Sequence, residues 1–454
     1  MRGISWAFRT SKPLLKKFFP LMIMFALQSL LALAVIFADN IMLGIYSEKS
    51  MAAASVVAQI QFILQQFVLG AGVGITILGS RYLDNKDVNT FKKIAVIGLV
   101  FSIAAGILLC LITFLCPQWT LSLFTNDAAI IEEGVSYLRI MSWTFIIISI
   151  SLLFLYLLQS VKTMWVGMVA PALATCINIL LNYALIYGNL GASELGIQGA
   201  GYATLISRGV ELIFVLICIL AADKKMRFSV RELFYFDRYY VSDYFKAARP
   251  SMLSGTILGI ALAAQVSLLG HISSEALAAN GVASIIFMMF ATFGFAQGNA
   301  AFVTTGHVLD SNQIYLVKNY VKVLQLIFIG VGLLTGVLVF STKGLMVSAY
   351  SLSPETHALA LRFLTVLSIS GVFLIYSQPI ESGIIASSGH TAWQKWIDNV
   401  FAWLFTLLAT IIGFGLRLSP TFIFSVTKVD ALFKCPFNAI RCNRYKWVRR
   451  VNKD

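Results

Sequence analysis

Charged residues are scarce in this sequence. Only 12% of the 454 residues are Asp, Glu, Lys or Arg and 59% are hydrophobic, whereas soluble globular domains average about 25% charged residues. A chain so poor in charge cannot cover a water-facing surface, so the composition excludes a soluble globular protein and predicts an integral membrane protein. The apolar content also argues against nucleic-acid binding. We expect the net charge of +14 to face anionic lipid headgroups instead.

Motifs for nucleotide, metal or catalytic chemistry are also missing. There is no GxxxxGK[ST] loop and no soluble segment longer than about 30 residues, which excludes a nucleotide-hydrolysing domain. The four histidines and six cysteines lack metal-ligand spacing. We therefore expect no cofactor and no enzyme activity, and any work must draw on an ion gradient or on another chain. The only hint of a membrane-embedded transferase is His390 with Asp398 at an inner mouth.

Long apolar runs fill most of the chain. They reach the length of about 20 residues that a transmembrane helix needs, and they lack the strict alternation of barrel strands. Lys and Arg collect on one side of the runs, which predicts a cell-membrane protein with both termini in the cytoplasm. We predict an all-α membrane protein with twelve spans, at 18–45, 52–80, 92–117, 134–157, 166–188, 199–222, 244–270, 276–304, 319–342, 358–388, 393–416 and 418–434.

The two halves of the sequence repeat each other at an offset of 226 residues. Leu43 aligns with Leu269 and Gly72 with Gly298, without a gap. Because each half holds an even number of spans, the two six-helix repeats must be parallel in the membrane. The predicted divisions are an N-terminal lobe, a cytoplasmic linker with an interfacial helix, a C-terminal lobe and a basic cytoplasmic tail, at 1–221, 222–249, 250–434 and 435–454.

One carboxylate stands out inside the predicted spans. Asp39 lies near the outer end of the first span, and its counterpart in the repeat is the neutral Gln265. An ionisable residue inside a membrane is expensive and is therefore a functional candidate. A carboxylate surrounded by amide and hydroxyl oxygens predicts a site for a proton or for a small hard cation such as Na⁺. The polar side chains expected at the same depth are Tyr137, Asn178, Asn182 and Thr204.

Two basic residues offer a simpler interpretation of the acids in this lobe. Arg139 lies at about the same depth as Asp39, so the two could form a plain ion pair. Arg208 and Glu211 stand three residues apart in the sixth span, and we expect a structural ion pair between them.

Further candidates lie in the second half. Glu381 follows a proline in the tenth span, where the helix is expected to bend; it is either a second protonation or cation site or a buried structural acid. With Gln265 and Arg139 it makes up the secondary set of site candidates. Adaptable apolar side chains could line a substrate cavity, and the candidates for this lining are Gln28, Met288 and Met289.

Three segments resemble the multidrug and toxic compound extrusion transporters. They are FADNIMLG at 37–44, YLRIM at 137–141 and NILLNYALIYGNLGASELGIQGAGYATLISR at 178–208, and the similarity extends over essentially the whole chain. The resemblance implies a V-shaped pair of six-helix bundles that exports small organic, often cationic, compounds in exchange for H⁺ or Na⁺ by alternating access. We expect the protein to act as a monomer.

The resemblance also implies roles for individual residues. In the branch that couples through its first lobe, the family's aspartate, tyrosine, asparagine and threonine match Asp39, Tyr137, Asn178 and Thr204. Some members carry a second carboxylate where this chain has Asn182, so a two-carboxylate site is not available here. A related architecture supports the alternative of a lipid or lipid-linked oligosaccharide flippase, which would need a strongly cationic cavity.

Overall fold

The computed structural model describes residues 4–84, 87–161, 163, 165–222, 232, 236–310, 314–388, 392–416 and 418–448. Over these residues the protein is helical and contains no β-strand, which confirms the predicted all-α fold. The α-helices are α1 (Ile4–Tyr46), α2 (Glu48–Asp84), α3 (Val88–Leu115), α4 (Pro117–Ser122), α5 (Ala128–Ser160), α6 (Val166–Tyr187), α7 (Ile197–Ile217), α8 (Val241–Ile272), α9 (Ser274–Asp310), α10 (Ile314–Val347), α11 (Pro354–Pro379), α12 (Ala392–Leu416), α13 (Pro420–Lys428) and α14 (Asp430–Asn443).

The helices account for the twelve predicted spans. Within the described residues, ten helical stretches are long and apolar enough to cross a membrane. Helix α1 covers the predicted first span, and its C-terminal end, Ile36–Tyr46, is a shorter apolar helix. The predicted last span, 418–434, holds α13 and the first residues of α14; that this region crosses the membrane stays a prediction.

The chain divides into two compact units. We call Ala34–Ala278 the N-unit, and Met1–Leu33 with Ala279–Asp454 the C-unit. The lobe boundaries taken from the sequence repeat stay a prediction.

In the N-unit, α2 packs against α3, α5 and α8, and α6 pairs with α7. Two of these contacts depend on the absence of a side chain. A Cβ on Gly70 would lie 2.4 Å from the backbone of Met252 in α8, and a Cβ on Gly199 would lie 2.5 Å from the carbonyl oxygen of Leu185 in α6. Real Cβ atoms essentially never approach so closely, so glycine brings these backbones together.

In the C-unit, α11 packs against α10, α13 and α14. It ends at Pro379 and continues as a π-helical segment, Ile380–Ile385, which contains Glu381. Proline has no N–H to donate, so the regular α-helical bonding is interrupted there as the sequence predicts.

Helix α14 crosses the predicted boundary between the last span and the basic tail. It runs from Asp430 to Asn443, so the first part of the predicted tail is helical, and the place where the last span ends stays a prediction. The Nζ of Lys434 lies 3.2 Å from Asp398 Oδ1 and 3.0 Å from Asp430 Oδ2. Beyond the helix, the Trp447 side chain is buried, and its Nε1 donates to a backbone carbonyl.

Part of the predicted linker 222–249 is described. It contains a 3-10 turn, Arg238–Tyr240, and the first residues of α8; residues 223–231 and 233–235 lie outside the described part. Two ion pairs join it to the start of α3, Lys92 to Glu232 at 2.9 Å and Lys93 to Asp237 at 3.1 Å. A separate interfacial helix is not among the linker residues that are described.

Candidate functional site

The C-terminal end of α1 carries Asp39 and is bonded to α6. The hydroxyl of Tyr187, the last residue of α6, donates to the carbonyl oxygen of Met42 at 2.7 Å. The ring of Tyr46 packs edge-on against that of Tyr187, with 6.5 Å between the centroids. Gly196, just before α7, leaves room for the Tyr46 ring, since a Cβ there would lie 2.7 Å from the Tyr46 hydroxyl oxygen. These contacts place Asp39 beside α6 and α7.

A row of hydrogen-bonded side chains starts at Asp39. The amide Nδ2 of Asn182 donates to Asp39 Oδ1 and also to Asn178 Oδ1, at 3.2 Å from the latter. The Nδ2 of Asn178 donates in turn to Thr204 Oγ1 at 3.3 Å. Both asparagines are completely buried, and Asp39 is half-buried. The structure thus brings together four of the residues that the sequence predicted at one depth.

One polar atom in this row has no partner. The Oδ1 of Asn182 is buried and accepts no hydrogen bond from the residues that the structure describes. A buried acceptor left unsatisfied costs about 1–3 kcal/mol. A proton bound on Asp39 could be donated to this oxygen, and a small hard cation beside Asp39 could be coordinated by it, since such cations prefer carboxylate and amide oxygens. The donor set therefore suits a cation at Asp39.

Tyr137 completes the neighbourhood from α5. It is buried, and its ring lies 3.3 Å from where a Cβ on Gly201 would stand in α7. It is close enough to Asp39 for an electrostatic interaction between the two side chains. A neutral phenol at this position adds polarity without adding a second charge.

The secondary candidates have surroundings of their own. The Arg139 side chain is exposed, and no ion pair joins it to Asp39 among the described residues, so the simple pairing is not observed. Gln265 is buried in α8 of the N-unit. Glu381 belongs to the C-unit, where it accepts hydrogen bonds from Ser377 at 3.4 Å and from the amide of Asn438.

The candidates for the substrate cavity lie in the C-unit. Met288 is 42% exposed on α9, and Met289 beside it is half-buried. Gln28 lies in α1, but its side chain is outside the part of the chain that the structure describes. The cavity lining stays a prediction.

Sequence reasoning missed an ionic cluster in the C-unit. Asp398 was considered only at an inner mouth beside His390, whereas its side chain forms an ion pair with Lys434, which also pairs with Asp430. The spacing of four residues between Asp430 and Lys434 was the available signal, because such pairs are neighbours on a helix. His390 lies outside the described residues. Within the described part no group of three His, Cys, Asp or Glu side chains could hold a metal ion.

Comparisons with known proteins agree with this arrangement. The MatE family model matches residues 20–184 and 250–419. The chain is 23% identical over 387 residues to the probable multidrug resistance protein YoeA of Bacillus subtilis (strain 168), covering 85% of this chain and 82% of that protein. It is 24% identical over 347 residues to a probable multidrug resistance protein NorM of Photorhabdus laumondii, with 75% of each covered.

Solved structures show the same fold. The inward-facing conformation of a multidrug resistance MATE family transporter of the MOP superfamily superposes with a TM-score of 0.79 at 19% identity, covering 94% of this chain and 98% of that one. The family model matches well over half of the chain, in agreement with the resemblance found in the sequence. This chain therefore belongs to the MatE family and is an integral membrane transporter, not an enzyme.

Proposed function

We propose that this protein is a secondary active antiporter that exports small organic compounds, many of them cationic, in exchange for H⁺ or Na⁺ bound at Asp39. The observation that carries the proposal is the hydrogen-bonded row from Asp39 through Asn182 and Asn178 to Thr204. The names of the relatives, probable multidrug resistance proteins, support drug-like compounds as the cargo. Export is by alternating access, with the protein acting as a monomer in the cell membrane and both termini in the cytoplasm.

Coupling follows from the charge of Asp39. An ionised carboxylate in a low-dielectric membrane protein is costly, so a bound cation lowers the free energy of states that bury Asp39. Loading from outside would let the outer end of α1 repack and displace the substrate, and release inside would reset the site. The Tyr187–Met42 hydrogen bond supports this step, because it links the segment that carries Asp39 to α6.

The available driving force is adequate. When a neutral compound leaves in exchange for one entering cation, a membrane potential contributes about 2.3 kcal/mol per 100 mV, which corresponds to roughly fortyfold accumulation of substrate against its gradient. When a singly charged organic cation leaves for one entering cation, no net charge crosses the membrane, and the concentration gradient of H⁺ or Na⁺ supplies the driving force. Export against a concentration gradient of this size therefore needs no nucleotide hydrolysis.

The charges of the described interior do not favour the flippase alternative. A diphosphate headgroup would need unpaired cations, yet Arg208 is bound to Glu211 at 2.7 Å. Lys434 is similarly bound to two aspartates. Two of the interior cations are thus already engaged by carboxylates.

The test is efflux of a fluorescent organic cation from proteoliposomes, with proton and sodium gradients imposed separately. We expect one of the gradients to accelerate efflux by wild-type protein, and Asp39→Asn to abolish that acceleration while the protein remains folded. Asp87→Asn is the matched control. It also removes a carboxylate from the N-unit, but Asp87 is an exposed helix cap that asparagine can replace.

Other outcomes would overturn the proposal. Unchanged gradient-driven efflux by Asp39→Asn would exclude this carboxylate as the coupling site. Loss of coupling in Glu381→Gln alone would move the site to the C-unit. Phospholipid exchange between leaflets with no response to either gradient would indicate a flippase.

A further inference from the structure

The polar row that starts at Asp39 continues past Thr204. Arg208 lies four residues further along α7, so the two side chains occupy one face of the helix, one turn apart. Glu211 follows at the next turn and accepts a hydrogen bond from Arg208. An unbroken polar stripe therefore leads from the coupling carboxylate along α7 to a second carboxylate.

The two members of the Arg208–Glu211 pair are buried to different extents. The Glu211 side chain is 4% exposed, whereas the Arg208 side chain is 23% exposed. A charged carboxylate so deeply buried needs its cation. The guanidinium has five N–H donors in a planar fork, and the observed contact to Glu211 uses its NH1 atom, at 2.7 Å from Glu211 Oε2. Arg208 therefore keeps donors for a second acceptor.

Asp39 is the acceptor to which the row leads. The row runs back from Thr204, one turn before Arg208, through Asn178 and Asn182 to Asp39. Among the described residues Arg208 is bound to Glu211 and not to Asp39, so the guanidinium would have to swing towards Asp39, and the opposite charges of the two side chains favour that movement. The three groups together carry a net charge of −1 when Asp39 is ionised, and zero when a cation neutralises Asp39. The remaining polar groups around Asp39 are neutral: Tyr137 from α5, the two asparagines of α6 and Thr204 from α7.

We propose that Arg208 is a positioning residue in the transport cycle, a counter-ion shared between Asp39 and Glu211. With Asp39 empty, the guanidinium is drawn towards it and compensates its charge. With a cation on Asp39, the guanidinium relaxes fully onto Glu211. This inference rests on the proposed cation coupling at Asp39.

The role of the pair is to set cation affinity. A guanidinium near an empty carboxylate competes with the incoming cation, and it also assists release by taking the cation's place. Glu211 limits this competition because it holds Arg208 back. A purely structural ion pair would stabilise α7 but would leave the affinity of Asp39 for cations unchanged.

The test measures the concentration of the coupling cation that half-saturates efflux in proteoliposomes, together with the maximal rate. The cation used is the one that drives the wild-type protein, H⁺ or Na⁺. In Glu211→Gln, Arg208 is left to Asp39 alone, and we expect the half-saturating concentration to rise about tenfold. In the double variant Arg208→Gln/Glu211→Gln no carboxylate is left unpaired at position 211, and Asp39 has no competing guanidinium. We expect it to half-saturate at a lower concentration and to have a lower maximal rate, because release of the cation is slower.

Two controls separate this role from a structural one. Arg208→Lys keeps the charge, and its half-saturating concentration should stay near the wild-type value. Lys93→Gln removes one half of another ion pair of the N-unit, at the linker, and should shift neither parameter.

The outcomes separate the two proposals. If Asp39→Asn abolishes coupling but the Glu211 and double variants keep the wild-type half-saturation, the shared counter-ion is refuted and the coupling site stands. If the variants give less folded protein but keep the wild-type half-saturating concentration and maximal rate, the pair is structural and the inference is wrong. If Asp39→Asn is itself without effect, the coupling proposal has failed.

Discussion

The close contact between α6 and α7 gives a sharp test of how the coupling row is held. A Cβ added at Gly199 would stand 2.5 Å from the carbonyl oxygen of Leu185, whereas ordinary contacts begin at 3.4 Å. The neighbouring atom is backbone and cannot rotate away. Gly199→Ala must therefore push the two helices apart by 0.5 Å to bring the contact to 3.0 Å, below which real Cβ atoms essentially never come, and by 0.9 Å to restore an ordinary contact.

The displacement acts on the row five residues further along α7. The bond from Asn178 to Thr204 is already long at 3.3 Å, and moving α7 would stretch it to about 4 Å, outside hydrogen-bond range. Overpacking of this kind costs about 1–3 kcal/mol. For a unit the size of the N-unit, residues 34–278, this predicts a thermal midpoint lower by about 2–12 °C.

The assay combines thermal unfolding in detergent with cation-driven efflux. Loss of one hydrogen bond, worth about 0.5–1.5 kcal/mol, should weaken the response of efflux to the cation by about twofold to tenfold. Gly209→Ala is the matched control: it lies on the same helix, and nothing stands within 4 Å of the added Cβ. If Gly199→Ala and Gly209→Ala both behave like the wild type, the contact does not hold the row in place.

Two further predictions concern the start of α5 and the bond between α6 and α1. Asp127 caps α5, and the hydrogen bond from Ser274 holds its pKa below the ordinary value, so its contribution to stability is complete above about pH 4 and is lost as the pH falls through the lowered pKa. Thermal midpoints of wild type and Asp127→Asn should therefore differ at pH 7 and converge in acid; a gap that is constant with pH would contradict this. Tyr187→Phe removes the hydrogen bond to Met42 and should cost about 0.5–1.5 kcal/mol and weaken cation-driven efflux. Tyr183 is half exposed on the same helix. An equal loss of stability and of efflux in Tyr183→Phe would show that the Tyr187–Met42 hydrogen bond contributes to neither.

Much of the site was predictable because helix geometry is regular. Asn178 and Asn182 are four residues apart, so their meeting on one face follows from the helical repeat, and they do hydrogen-bond to each other. The equal depth expected for Asp39 and Thr204 in the membrane predicted that these two residues, on other helices, lie near the asparagines. That the described residues show no ion pair between Arg139 and Asp39 was not predictable. Equal depth in the membrane says nothing about which way a side chain faces, and the Arg139 side chain is exposed.

The ionic cluster of the C-unit was harder to predict for a different reason. Asp430 and Lys434 are neighbours on one helix, but the third member, Asp398, lies on another helix, 3.2 Å from Lys434. Hydropathy summed along one helix cannot register a partner on another, so only the tertiary structure shows such pairing.

The counter-ions, more than the acids, distinguish the two units. Each unit holds a carboxylate that accepts from an asparagine amide, Asp39 in the N-unit and Glu381 in the C-unit. In the C-unit the nearby ammonium of Lys434 has three donors and is already bound by two aspartates. In the N-unit the guanidinium of Arg208 has five donors and is bound by Glu211 alone. A counter-ion held by one carboxylate can give way to an incoming cation and return when it leaves more readily than one held between two carboxylates. We therefore infer that cation exchange belongs to Asp39.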